Sequence, residues 1–304
     1  MTISGVEESL GVTGIFYHPS FSRRSYLTQG SRLQDFPDAL APLLAGSRFR
    51  LYESPRIETE WILKVHTPEL VEEVKLDPLC STAWHSVGGV VLAAETIIRG
   101  EIENAFAFIG AGGHHSGRDF FGGYCCFNDV VIAIHVLRER HNIHRFAILD
   151  TDAHHGDGTR ELIRHDPDVL HVCMCSAQYE SPDGTKVDVP APSVSRFPRW
   201  SAPSGDIDVE YVKAANEAFL PRVKRFQPEF IFWYFGFDTH RGDYGDLGLS
   251  AKAYLELARS VREVATDCCF GRLAVVLGGG SRSDLARDLI PPILSIINED
   301  RVLI

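Results

Sequence analysis

No stretch of this 304-residue chain is apolar for long enough to span a bilayer; the longest run is Phe230-Ile231-Phe232-Trp233-Tyr234-Phe235. Residues Met1 to Glu8 lack the basic flank and apolar stretch of a signal peptide, so none is expected. The seven cysteines are an odd number with no CxxC pair, so they read as mostly buried thiols in a reducing compartment. Cys125-Cys126 and Cys268-Cys269 are expected to be core thiols. Basic residues are in deficit, 30 against 41 acidic, and a net charge of −11 repels a phosphate backbone. Repeats and low-complexity tracts are absent. The expectation is a cytoplasmic protein with neither membrane nor nucleic acid as partner.

Apolar content of 44% and charged content of 23% are those of a globular protein. The negative balance suits cationic substrates such as polyamines or lysine side chains, and it is also what solubility alone would select. Apolar runs that predict strands recur at 13–17, 48–52, 105–109, 146–149, 168–174, 229–235 and 273–277. Helical periodicity fills 86–99, 128–141, 207–226, 250–266 and 283–297. Alternating strands and helices predict one α/β domain over 1–304, with a mostly parallel central sheet and helices on both faces. Residues 177–205, with five prolines, and 18–40, with Arg23, Arg24 and Arg32, read as loops.

Chemistry-bearing residues collect where apolar runs end. Ala105 to Ile109 leads through glycines to His114-His115, and Phe146 to Leu149 leads to Asp150-Thr151-Asp152-Ala153-His154-His155-Gly156-Asp157. A third run ends in Gly236-Phe237-Asp238. Open α/β sheets bind ligands at such strand exits. Asp152, His154 and Asp238 offer two carboxylates and an imidazole, enough for one divalent metal with a position open to water. Zinc is the default, although iron(II), cobalt or manganese accept the same donors. His114 and His115 would flank that water, one taking its proton and one serving the leaving nitrogen. Asp150 and Asp157 are placed to fix their tautomers. His135, His141, His144, His165 and His171 lack matching partners and read as structural or surface residues.

From about residue 86 onward these motifs resemble the zinc-dependent histone deacetylase and acetylpolyamine amidohydrolase family. The resemblance rests on Gly112-Gly113-His114-His115, Gly123 to Asp129, Leu149 to Thr159, Gly236 to Asp243 and Leu277 to Gly280, with weaker echoes at Tyr17-His18-Pro19 and His66. It implies an arginase-deacetylase fold and hydrolysis of an acylated amine: an acyl-lysine, an acetylpolyamine or a small N-acyl compound. It assigns zinc to Asp152, His154 and Asp238, and acid/base chemistry to His115 with Asp157 and His114 with Asp150. Gly123 and Tyr124 match the wall of a substrate tunnel. Asp150, with the carbonyls of Asp152 and His154, resembles a structural potassium site. The two-manganese arginase pattern is excluded, because Gly156 and His240 stand where it needs carboxylates.

The chain also departs from the family. Arg282 stands where the catalytic tyrosine is expected after the glycine run. It either polarises the substrate carbonyl, or binds a substrate carboxylate, or points away and leaves the role to another group. A weakly active or non-catalytic protein that binds acylated ligands is the competing reading. Gly110-Ala111-Gly112 replaces Arg-Pro-Pro, and Cys173 replaces a potassium-liganding serine. Asp77 is the candidate for a substrate-gripping aspartate.

Overall fold

Four of the expected strand exits meet because their strands are neighbours in one sheet. The computed structural model describes residues 11–22, 31–111, 113–193 and 206–299; Arg23, Arg24, Gly112 and 194–205 lie outside the described residues. The strands are β1 (Thr13–Tyr17), β2 (Phe49–Glu53), β3 (Asn104–Ala107), β4 (Phe146–Asp150), β5 (Val169–Cys175), β6 (Tyr179–Glu180), β7 (Lys186–Pro190), β8 (Phe230–Phe235) and β9 (Leu273–Leu277). They form one sheet in the order β2-β1-β3-β9-β8-β4-β5-β7-β6. Every pairing is parallel except that of β6 with β7.

One row of side chains, Phe106, Val275, Trp233 and Leu149, runs straight across β3, β9, β8 and β4. The C-terminal ends of these four strands therefore open along one edge. Every residue of β1, β3, β4, β5, β8 and β9 is buried, so both faces of the sheet are covered.

The helices are α1 (Ala41–Leu44), α2 (Thr59–Ile62), α3 (Pro68–Leu76), α4 (Ala83–Ile98), α5 (Asp129–His141), α6 (Asp157–Leu162), α7 (Ile207–Phe226), α8 (Ala251–Cys269) and α9 (Ser283–Ile297). Their starts follow capping chemistry: the side chains of Asn128, Asp206 and Ser250 accept backbone N–H groups at the first turns of α5, α7 and α8. Asn142, Gln227 and Phe270 end the same helices in the left-handed region.

The five long helices and the seven expected strands fall within a few residues of the expected ranges. The segment 177–205 is not all loop, because it contains β6 and β7. Its strand signal is hidden by buried polar residues. Lys186 Nζ donates to the carbonyls of Asp166 and Val169, and Asp188 receives Arg160 at 2.7 and 3.0 Å. The cysteine expectation is corrected too, since Cys80 is bonded to Cys126, with Cα atoms 6.0 Å apart. The two are 46 residues apart in the chain, and only folding brings α3 and its following turn against the segment before α5. Among the described residues no helix is long and apolar enough to cross a membrane.

Candidate metal centre

Asp152 and His154 follow β4, and Asp238 follows β8, the neighbouring strand. His154 Nδ1 lies 3.1 Å from Asp152 Oδ1 and 3.0 Å from Asp238 Oδ2. A metal about 2.0–2.1 Å from each donor needs donor atoms about 3.3 Å apart, so the triangle has the right size. The carboxylates are aimed by backbone N–H groups: Ala153 donates to Asp238 Oδ1, His154 to Asp152 Oδ1 and Gly279 to Asp152 Oδ2.

Asp238 Oδ2 is buried without a hydrogen-bond partner, 3.0 Å from His154 Nδ1. Burial and the Asp152 charge push the Asp238 carboxyl up to about 7. The adjoining carboxylates of Asp152 and Asp238 raise His154 to about 10. Two buried carboxylates in contact with one imidazole are short of positive charge. A divalent cation at their centre satisfies both the orphaned oxygen and the charge, so the residues fit a metal.

The histidine pair faces this triangle from the exit of β3. His114 Nδ1 is 2.7 Å from Asp150 Oδ2, and its Nε2 is 3.6 Å from Asp152 Oδ1. Burial works against the charged imidazole, but Asp150 and Asp152 outweigh it and raise His114 to about 9. His115 Nδ1 is 2.6 Å from Asp157 Oδ1. The two pairs differ in setting, because His114 and Asp150 are buried whereas the Asp157 side chain is 56% exposed. Gly123 is shaped by His115: a Cβ built there would lie 2.3 Å from His115 Cδ2. Tyr124 follows with φ 67°, a conformation that a tyrosine rarely adopts.

A pocket of about 260 Å³ joins these parts, lined by His114, His115, Gly123, Tyr124, Asp152 and His154, with Tyr234, Tyr244, Cys125 and Gly279 completing it. The expected ligands, the histidine pair and the Gly123-Tyr124 wall are thus brought together, with Asp150 and Asp157 directly behind.

Two expected residues are not. The Arg282 side chain is 42% exposed and turned to Asp284, with Nε 3.0 Å from Asp284 Oδ1. Its backbone explains the turn: Arg282 caps α9, and Asp243 accepts its N–H at 3.1 Å, so the side chain leaves with the helix. Asp77 does not line the pocket; its Oδ1 accepts Leu79 N–H at 2.8 Å and starts a short 3-10 turn.

Several supporting residues escape sequence reasoning. Arg32, in the expected loop, is fully buried and donates to the carbonyls of Gly278, Gly280 and Ile109. Asn128 N–H donates to His66 Nε2, and Asn128 Nδ2 to Ser116 O and Thr159 Oγ1, which ties the loop after His115 to α6. Tyr234 stacks on His114 at 4.8 Å, and Tyr244 on His154 at 5.6 Å. Burial and the charges of Asp238 and Asp152 keep the Tyr244 phenol protonated. A tyrosine in a strand core or a loop carries no local signal of such a role.

Another group of donors, His155, Cys173, Cys175 and Asp188, also gathers. Arg160 already spans both Asp188 oxygens, and its fixed charge makes this an ion-pair network rather than a cation site.

The profile of the histone deacetylase domain matches residues 27–294. A probable deacetylase of Archaeoglobus fulgidus is 29% identical, over 88% of this chain and 81% of that protein. A histone deacetylase-like amidohydrolase of Pseudomonas aeruginosa is 27% identical, over 77% and 67% respectively. The crystal structure of the HDA15 HD domain superposes with a TM-score of 0.79 at 22% identity, covering 94% of this chain and 89% of that one. The last match bears on the fold alone.

Proposed function

Because this chain belongs to the histone deacetylase domain family, we propose that it hydrolyses the amide of an acylated amine with one zinc ion held by Asp152, His154 and Asp238. One observation carries the reading: two imidazoles, each with its own carboxylate at Nδ1, face a triangle of metal donors. A binding site has no need of two oriented proton carriers. When bound, the ion supplies Lewis acidity that polarises a carbonyl and acidifies water.

The chain's own residues do the rest. Asp157 holds the His115 hydrogen on Nδ1, which leaves Nε2 free to take a proton from water and return it to the leaving nitrogen. His114, buried with Asp150 at its Nδ1, turns Nε2 towards Asp152 and so towards the reacting groups. Tyr124 and Gly123 confine the acyl chain beside His115. A structural potassium ion would take oxygen from Asp150 and from the carbonyls of Asp152 and His154, while the neighbouring Cys173 and His171 offer sulfur and nitrogen.

The test is to load the purified protein with zinc and count the metal. It is then offered acyl-lysine peptides, acetylpolyamines and small N-acyl amines, beside His115→Ala. Turnover by the parent and none by the variant supports the reading; no turnover and no retained zinc removes it. The outward Arg282 favours one rival, a protein that binds acylated ligands with little turnover. Thermal stabilisation by those ligands without product would identify it.

A further inference from the structure

Attack on an amide carbonyl places negative charge on its oxygen, and active sites meet that charge with an aimed hydrogen-bond donor. Arg282 is turned out of the pocket, so the donor must come from another lining residue. Three lining residues are tyrosines. Tyr234 stacks on His114, and its hydroxyl is directed to the backbone before the histidine pair, 2.0 Å from the point where a Gly113 Cβ would sit and beside Cys125 Sγ. Tyr124 follows Gly123 on the His115 wall.

Tyr244 is placed differently. Gly279 leaves a gap whose centre, the point of an absent Cβ, is 2.5 Å from Asp152 Oδ2, 2.7 Å from Tyr244 Oη and 2.8 Å from Asp238 Oδ2. The phenol oxygen and one oxygen of each carboxylate of the metal triangle therefore border the same small gap. Its oxygen accepts the Gly280 N–H at 3.0 Å, which orients it. Its own hydrogen has no acceptor among the described residues. The ring lies on His154 at 5.6 Å, with 29° between the planes.

The loop itself is clamped. Asp243 accepts the N–H groups of Tyr244, Ser281 and Arg282 and the Ser281 hydroxyl, at 2.8 to 3.1 Å. One carboxylate thus fixes Tyr244 against the glycine run and sends Arg282 outward. A donor held on a rigid support before the reaction is what such stabilisation requires.

We propose that Tyr244 is the catalytic hydrogen-bond donor to the substrate's carbonyl oxygen, supplied from the loop after β8. This rests on the amidohydrolase reading above. Water oxygen bonds to the carbonyl carbon while its proton passes to His115, and the carbonyl π pair moves onto oxygen. The Tyr244 hydroxyl hydrogen-bonds that oxygen and keeps its proton throughout. The C–N bond then breaks as His115 returns the proton to nitrogen.

Tyr244→Phe keeps the ring on His154 and removes only the hydroxyl. With metal content and melting temperature matched to the parent, kcat is expected to fall about 10²–10³-fold, with KM within about threefold. An independent readout is calorimetric binding of a trifluoromethyl ketone, whose hydrate carries the charged oxygen. Its affinity should fall at least tenfold in Tyr244→Phe, while the affinity of the intact amide, measured in a His115→Ala background, stays the same. Unchanged ketone affinity in Tyr244→Phe overturns the proposal, as does a loss in Arg282→Ala that Tyr244→Phe does not show. If the parent turns over no amide, the amidohydrolase reading fails, and the ketone titration still decides the role of Tyr244.

Discussion

Gly123 lies flat against the His115 ring, closely enough that a methyl group there would sit 2.3 Å from Cδ2. The backbone at Gly123 is also in the left-handed region, at φ 53°. Gly123→Ala therefore has to move either the loop or the imidazole. The expected result is a fall in kcat of about 10²-fold, the usual cost of shifting a catalytic group by roughly 1 Å. Zinc content should be unchanged, since no metal donor touches Gly123. Kinetics together with metal analysis check both halves.

The carboxylates behind the histidines differ in burial, and their removal should differ accordingly. Asp157→Asn, at an exposed side chain, is expected to slow turnover while leaving the melting temperature nearly unchanged. Asp150→Asn should cost activity and also about 1–3 kcal/mol of stability, because it disrupts a buried, charge-assisted hydrogen bond to His114. Equal losses of stability in the two variants would contradict the buried and exposed assignments.

Metal removal should loosen the fold. Asp152→Ala, His154→Ala and Asp238→Ala are each expected to retain little zinc. Chelation of the parent should lower its melting temperature by the linked binding energy, about 2.7 kcal/mol at a hundredfold excess over Kd. The chelator should leave the three variants unmoved, which calorimetry can show.

Acid should destabilise the protein through two buried histidines away from the metal triangle. Burial lowers His66 and His171 to about 4, so both are neutral in the fold and protonate near 6.5 once unfolded. Between those values the unfolded chain binds more protons. The stabilisation is complete above pH 6.5 and is lost as pH falls towards 4. Urea midpoints across this range should fall for the parent and fall less steeply for His66→Gln.

The Cys80–Cys126 bond closes a 46-residue separation, and a loop of that size is worth up to about 4 kcal/mol in the chain-entropy account. Thiol titration of the denatured, unreduced protein should count five reactive cysteines. Reduction should raise the count to the full seven and lower the melting temperature. Seven before reduction would exclude the bond.

The strands and long helices are legible in the sequence because buried parallel strands are nearly continuous apolar runs and the helices carry regular periodicity. The metal donors and the histidine pair are legible for a different reason: each sits a few residues past such a run. Tyr244, Arg32 and Asp243 are not, since their roles depend on contacts across the sheet with Gly278 to Arg282. The Arg282 position shows the limit. Its place after the glycine run can be counted along the chain, but its direction is set by Asp243, which lies elsewhere.

The sheet order has a consequence for assembly. β9, which follows the other eight described strands in the chain, is inserted between β3 and β8, and β8 itself separates β9 from β4. The histidines of the first exit and the aspartate and histidine donors of the second are therefore held apart by the width of two strands that do not yet exist when both leave the ribosome. Until the stretch with β8 and β9 arrives, the growing polypeptide owns most of the reactive side chains but no place where they meet, so capture of the proposed ion would report the final closure of the sheet.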